Sequence, residues 1–153
     1  MNYIAQANYA QWHESVPQSD VDDFMLAASD IHQIAANSPG YVWRYTDDFD
    51  SSCLAKLFGV PRIVFNMSVW KTIEDLKVFS FKGRHSQAMR QRSRWFVESP
   101  SNPSVLWWIE PGNIPTAIEA KQKITLLAEK GPSASAFTFR KVFDPQSLSV
   151  PSD

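Results

Sequence analysis

The sequence predicts an α+β fold, a ferredoxin-like antiparallel sheet with its helices on one face. Stretches with strand alternation are interspersed with three stretches of helical periodicity. Their order begins β-α-β-β-α-β, the split β-α-β pattern of ferredoxin-like sheets. The chain has 153 residues, of which 44% are hydrophobic and 20% charged, and these values favour a single folded core. We expect one domain over residues 1–143 and a flexible C-terminal tail over 144–153.

Capping signals and apolar faces predict the helices. In each, a Ser or Thr precedes an acidic residue by three positions, which is the form of a capping box. The pairs are Ser19 and Asp22, Thr72 and Asp75, and Thr116 and Glu119. They place helices at about 21–37, 73–81 and 117–130. We expect Gly83 to end the second helix and a further helical piece to follow over 84–97.

The strands are predicted between these helices, at about 3–9, 41–46, 62–70 and 105–109, with a short one at 137–142. The segment 47–60, which begins with several aspartates and serines, is predicted to be a long exposed loop. In the third strand Phe65, Met67 and Val69 share an apolar face, where we expect the helices. The opposite face is mixed but too apolar for water. The sheet of an identical subunit would cover it, which favours a homodimer, and the alternative is that the third helix or the tail covers it.

Composition excludes several classes of protein. Cys53 is the only cysteine, so neither an intrachain disulfide nor a cysteine zinc site is expected. The net charge of -1 disfavours nucleic-acid binding. No apolar run is long enough to span a membrane and no leader is visible, so we expect a cytoplasmic protein. Phosphate-binding glycine loops and a Gly-x-Ser-x-Gly elbow are absent, and no metal site is expected.

The segment 82–96 is rich in basic residues and is the first candidate for chemistry. On a helix His85, Met89 and Arg92 share its apolar side, where a charge is costly unless paired. In the functional interpretation His85 is a general acid or base and Arg92 clamps a carboxylate or enolate. In the structural interpretation Arg92 pairs with a buried acid and His85 caps a carbonyl. His32, on the apolar face of the first helix, is interpreted as a hydrogen-bonded core histidine.

Polar residues on the mixed sheet face form the second candidate. Asn66 and Ser68 are polar residues two positions apart on one face of the third strand, and Gln6 and Asn8 have the same spacing in the first. Arg44 of the second strand is a further candidate for this group. They are either hydrogen-bond donors of a mostly apolar ligand pocket or partners for one another. The six tryptophans either fill the core or line such a pocket. The residues we assign to aromatic walls are Trp43, Trp70, Trp95, Trp107 and Trp108.

Several motifs together resemble one known family. They are SPGYVWR at 38–44, NMSVW at 66–70, His85 followed by RSRWF at 92–96, LWWI at 106–109, PG at 111–112, PT at 115–116, GP at 131–132 and AFTF at 136–139. In this order and spacing, from about residue 4 to 140, the chain resembles the domain-of-unknown-function family numbered 3291, of the dimeric α/β-barrel superfamily. That resemblance implies a ferredoxin-like subunit whose sheet packs on a partner's sheet, with a small-molecule pocket between sheet and helices.

The resemblance implies a class of function without choosing a reaction. Members of the superfamily include cofactor-free monooxygenases, polyketide cyclases, isomerases and haem-degrading proteins. We therefore expect a homodimeric enzyme acting on a hydrophobic oxygenated substrate, polyketide-like or aromatic, by cofactor-independent oxygenation or by cyclisation, isomerisation or dehydration. His85 would move the proton while Arg92 and Asn66 stabilise an enolate. The alternatives are a non-catalytic dimer that binds a hydrophobic ligand and a haem-binding or haem-degrading protein.

Overall fold

A computed structural model describes residues 2–13, 16–45, 51–60, 63–84 and 104–145. Strands and helices alternate along the described chain. They are β1 Tyr3–Gln11, α1 Gln18–Ala36, β2 Tyr41–Arg44, α2 Ser51–Phe58, β3 Ile63–Trp70, α3 Ile73–Arg84, β4 Val105–Ile109 and α4 Ala117–Lys130.

The four strands form one antiparallel sheet in the order β2-β3-β1-β4. This confirms the α+β class. The third and first strands are interior, and β3 has partners on both sides from Ser68 to Trp70, as β1 has from Ile4 to Ala7. A register shift between Tyr41 and Trp43 places these two side chains on opposite faces. Strict alternation predicted them on the same face, and the bulge is the reason for the difference.

One face of the sheet, which we call the α4 face, packs against α4 and α2. Its core contains Met67, Val69 and Trp107 of the strands, with Ala120 and Leu127 of α4. The ring of Phe58 in α2 lies 5.2 Å from that of Phe65 and 5.3 Å from that of Tyr9. The most apolar face is therefore covered by two helices that follow β2 and β4.

The other face, which we call the α1 face, packs against α1 and α3. Ile4, Trp70 and Leu106 of the strands meet Ala35 of α1 and Leu76 of α3 there. Helices thus lie on both faces, and the prediction of helices on one face is wrong. The mixed face, which was predicted to pair with a second subunit, is the α1 face, and α1 and α3 pack on it. The alternative that the third predicted helix covers the mixed face is wrong, because that helix, α4, packs on the apolar face of Met67 and Val69.

Two of the three predicted helix caps are confirmed. The backbone N–H groups of Asp75 and Glu119 donate to the hydroxyls of Thr72 and Thr116, each at 3.1 Å. The cap at Ser19 is wrong, because α1 begins one residue earlier, after Pro17. Proline suits the start of a helix, since its fixed φ is compatible with entry and it has no N–H to satisfy.

Three further predictions of local structure are corrected. The predicted loop 47–60 contains α2, whose Leu54 is buried. Gly83 does not end α3, which continues to Arg84; a glycine inside a helix costs only about 1 kcal/mol relative to alanine. The predicted strand at 137–142 is instead a set of isolated bridges, of which Phe137 exchanges two backbone hydrogen bonds with Leu106 at 2.8 and 2.9 Å. Residues 85–97 of the predicted helical piece lie outside the described residues.

Candidate functional site

Three polar side chains from neighbouring strands form one row across the α1 face. Arg44 of β2 is paired with Ser68 of β3, which is paired with Gln6 of β1. Directly opposite residues in antiparallel strands have Cβ atoms about 5 Å apart, so their side chains are close neighbours. We call these three residues the polar row. Ser68 is 7% exposed, whereas Arg44 and Gln6 are partly buried.

The hydroxyl of Ser68 is the centre of the polar row. Its oxygen accepts hydrogen bonds from Gln6 Nε2 and from Trp70 Nε1, both at 2.9 Å. A hydroxyl has two lone pairs and one hydrogen, so these two bonds use the lone pairs and leave the hydrogen to donate. No acceptor for that hydrogen is found in the part of the chain that the structure describes. Ser68 is therefore available as a donor to a bound molecule.

The α1 face opens to solvent next to this row. Asn66 is exposed, whereas Ser68 on the same face of β3 is buried. Among the described residues β2 pairs with β3 only from Ser68 to Trp70, so Asn66 has a cross-strand partner on β1 alone. Its cross-strand partner Asn8 donates from Nδ2 to Ser104 Oγ at 3.3 Å. Asn8 Oδ1 is shielded from solvent and has no hydrogen-bond partner among the described residues. The α1 face is therefore exposed at Asn66 and buried at Ser68, and we call the exposed part at Asn66 the opening.

A histidine of α1 is electrostatically coupled to the polar row. His32 is partly buried, and its pKa is lowered from 6.5, first by burial and second by the positive charge of Arg44. Both effects disfavour the protonated ring. His32 is therefore a neutral imidazole near pH 7, electrostatically coupled to one end of the polar row. Sequence reasoning interpreted it as a core histidine, and the apolar face it shares with Ile31 and Ala35 gave no sign of Arg44.

Arg44 brings a positive charge to the partly buried row. Its Nη1 lies 3.5 Å from the Tyr45 carbonyl oxygen, a distance at the limit of a hydrogen bond. It forms no ion pair with any carboxylate of the described ranges. A partly buried guanidinium without a countercharge attracts an anion more strongly than an exposed one does.

The coupling between His32 and Arg44 predicts a pH dependence of stability. The unfolded chain protonates His32 near pH 6.5, whereas the folded chain binds this proton only at lower pH. The unfolded state then holds more protons, so the free energy of unfolding falls as the pH is lowered below 6.5. Urea unfolding from pH 7.5 to 5 measures this slope.

Two variants assign that slope to its cause. His32→Gln removes the titrating ring, so its free energy of unfolding should decrease less on acidification. Arg44→Gln removes one of the two effects that lower the pKa of His32, so its slope should lie between those of wild type and His32→Gln. Equal slopes in wild type and His32→Gln would show that His32 has no part in the pH dependence.

The structure brings together four residues that the sequence predicted for the site. Arg44, Ser68 and Trp70, predicted to bind substrate, and Asn66, predicted to be catalytic, all lie on the α1 face. Trp43 and Trp107 pack on the α4 face, away from them. The remaining predicted residues, His85, Met89, Arg92 and Trp95, lie outside the described residues.

Trp108 of β4 packs in the same α1-face cluster as Trp70, and Ile4 of β1 lies between the two tryptophans. Trp108 donates from Nε1 to the Phe143 carbonyl oxygen at 2.7 Å. It lines an open cleft of about 490 Å³ together with Glu110, Asn113 and Glu119. Glu119 Oε2 accepts a hydrogen bond from Trp107 Nε1 at 2.8 Å. This hydrogen bond joins α4 to β4, so the Glu119 carboxylate has a structural role.

These features define an α+β domain with a polar row and a neutral histidine beside an opening on one covered sheet face. Residues 3–152 match the family model described as "Domain of unknown function (DUF3291)". The chain therefore belongs to this family, as its motifs predicted. No curated protein matches the chain. Within the described ranges no helix is long and apolar enough to cross a membrane, and no cluster of three His, Cys, Asp or Glu side chains could hold a metal ion.

Proposed function

We propose that this chain is a small-molecule enzyme that binds a largely apolar, oxygenated substrate on the α1 face, over Asn66 and against the polar row. The observation that carries the proposal is the exposure of Asn66 on the α1 face, two residues from the buried Ser68, whose hydroxyl hydrogen has no acceptor among the described residues. Small-molecule sites combine apolar walls with a few placed polar groups. Here the partly buried Val64, on the same face of β3 as Asn66, supplies apolar surface and Ser68 a placed donor.

Proton transfer is the chemistry that these groups support. A neutral imidazole such as His32 can accept a proton from a carbon next to a carbonyl group, which leaves an enolate on the substrate. The Ser68 hydroxyl and the Asn66 amide then donate to the enolate oxygen and stabilise its charge. Isomerisation and cyclisation, dehydration, and reaction with O₂ as co-substrate can all proceed from such an enolate. His85 and Arg92 remain the second pair of candidates for these two roles, on the sequence argument alone.

The resemblance to the dimeric α/β-barrel superfamily supports the position of the pocket, between sheet and helices. The sheet-to-sheet barrel of that superfamily is not part of the proposal, because α1 and α3 pack on the mixed face that was predicted to pair. The homodimer and the cytoplasmic location stay predictions. Native mass spectrometry tests the dimer directly.

The proposed site is tested by native mass spectrometry of the freshly purified protein, followed by the denatured protein. We expect a non-covalent ligand whose occupancy falls about tenfold in Ser68→Ala, since one buried hydrogen bond contributes about 1–1.5 kcal/mol. Ser29→Ala, which changes an exposed serine of α1, is the matched control and should retain the ligand. Equal occupancy in Ser68→Ala and Ser29→Ala would place the ligand elsewhere.

Conversion of the ligand separates an enzyme from a non-catalytic binding protein. The molecule released from the denatured protein is returned to fresh wild type and to His32→Gln, and its products are followed by mass spectrometry. An enzyme that uses His32 converts the molecule only in wild type, with loss of at least about a hundredfold in the variant. Binding without conversion in both proteins would establish the ligand-binding alternative.

A further inference from the structure

Hydrogen-bond donors exceed acceptors along the polar row. Arg44 has five N–H donors and no acceptor, and the Ser68 hydroxyl has only its hydrogen left. Gln6 uses one of its two amide hydrogens on Ser68. Its Oε1 is the one side-chain acceptor that the row retains. A ligand with several acceptor lone pairs on neighbouring oxygens would match this surplus better than a single carbonyl group.

The charge of the row is also unbalanced. Arg44 is partly buried and has no carboxylate partner in the described ranges. The charge of Arg44 lowers the pKa of His32 in α1, so His32 stays neutral and adds no charge to the row near pH 7. The neighbours of Arg44 on β3 and β1 are the uncharged Ser68 and Gln6. An anionic ligand would supply a countercharge to Arg44, which has no carboxylate partner among the described residues.

The two strongest free donors lie side by side. Arg44 and Ser68 are directly paired across β2 and β3, at the second residue pair beyond the bulge. A guanidinium presents a planar fork that matches two coplanar oxygens, and a neighbouring hydroxyl can donate to one of them. Trp70, the next residue of β3 on the same face, is fully buried and bonded to the same hydroxyl.

We propose that the substrate of the proposed function carries a delocalised, planar oxyanion, a carboxylate or the enolate of a 1,3-dicarbonyl, and that Arg44 and Ser68 bind it. This inference rests on the proposed site and adds the charge of its ligand. It makes Arg44 the residue that distinguishes an acid from its neutral amide. The rest of the ligand lies over the opening at Asn66.

The test compares benzoate with benzamide, two probes of similar shape of which only benzoate carries the oxyanion. Binding is followed by NMR through the indole N–H signal of Trp70, which donates to Ser68 and is assigned by its absence in Trp70→Phe. Wild type should bind benzoate at least about tenfold more tightly than benzamide, the effect of one charge-assisted hydrogen-bond pair. In Arg44→Gln this preference should disappear, whereas Arg44→Lys should keep part of it.

Arg140→Gln, which changes an exposed arginine far along the chain, is the matched control and should retain the preference for benzoate. If both probes shift the Trp70 signal equally and Ser68→Ala abolishes both shifts, the site binds oxygenated molecules and the inference about charge is wrong. If benzoate is preferred equally in wild type and Arg44→Gln, another residue binds the anion and the assignment to Arg44 is wrong. If neither probe shifts the signal, both the inference and the proposed site are contradicted.

Discussion

Replacing Gly40 by alanine is expected to lower the free energy of unfolding by about 2–4 kcal/mol. Gly40 has a φ of 82°, in the left-handed region that a side chain disfavours by about 1–2 kcal/mol. A Cβ atom at this position would also overlap the side chain of Asp75, at 2.5 Å from its Cγ and 2.7 Å from its Cβ. Because the overlap includes Asp75 Cβ, a rotation of the carboxylate alone cannot remove it.

The turn at Gly40 positions β2 and therefore Arg44. The Gly40 carbonyl oxygen accepts a hydrogen bond from Lys71 N at 2.7 Å, immediately beyond the end of β3. The Asp75 backbone N–H is bonded to the Thr72 cap of α3, so neither side of the contact moves freely. The change at Gly40 should consequently disturb the end of the sheet that carries the polar row.

Urea unfolding of Gly40→Ala beside Gly59→Ala measures this effect. Gly59 has a φ of 69° and no atom within 4 Å of an added Cβ, so its variant carries the backbone strain without the overlap. The loss in Gly40→Ala should exceed that in Gly59→Ala by about 1–3 kcal/mol. Equal losses of unfolding free energy would show that Asp75 moves away from the added Cβ without an energetic cost, and that the overlap does not constrain the turn.

Local signals predicted most of the secondary structure. Alternation helped to predict β3, because Asn66 and Ser68 fall between Phe65, Met67 and Val69, and successive side chains of a strand point to opposite faces. The caps at Thr72 and Thr116 gave the starts of α3 and α4, since the hydroxyl acts on an N–H only three residues away. Each of these interactions is short in sequence, so a single sequence contains all of it.

The covering of the two faces depended on long-range packing and was predicted wrongly. Which face α4 meets is decided by how Ala120 and Leu127 fit against Trp107, and periodicity cannot specify that choice. The same limit applies to β2, where the bulge after Tyr41 exchanges the faces of the following residues. α2 was missed because the acidic residues ahead of it were taken as the signal of a loop, although Leu54 and Phe58 have helical spacing.

In the candidate site, too, residues with a local sequence signal were predicted and a residue that depends on long-range packing was not. Ser68 and Asn66 were recognised because polar side chains on a mostly apolar strand face require hydrogen-bond partners, and alternation shows which face they share. His32 was assigned to the core because its significance depends on Arg44, which lies on a different element 12 positions away in sequence and across a turn. A histidine on an apolar helix face is ambiguous until its neighbours from other elements are known.

Replacing Trp70 by alanine is expected to lower the free energy of unfolding by about 3–5 kcal/mol. The side chain is fully buried at the end of β3, its ring stacked on Phe79 of α3 at 4.9 Å and edge-on to Tyr41 of β2 at 5.7 Å. Truncation would leave a cavity where the sheet meets α3, and it would remove the donor to Ser68. Urea unfolding at constant pH measures the loss.

Trp70→Phe separates the packing of this residue from its hydrogen bond. Phenylalanine retains most of the apolar contact with Phe79 but has no N–H, so we expect a smaller loss of about 1–2 kcal/mol. If that loss comes from the bond to Ser68, it should shrink by about 0.5–1.5 kcal/mol when Trp70→Phe is made in Ser68→Ala, because the acceptor is already gone. Equal losses in the two backgrounds would mean that the indole N–H contributes nothing through Ser68, and that Trp70 supports the polar row by packing alone.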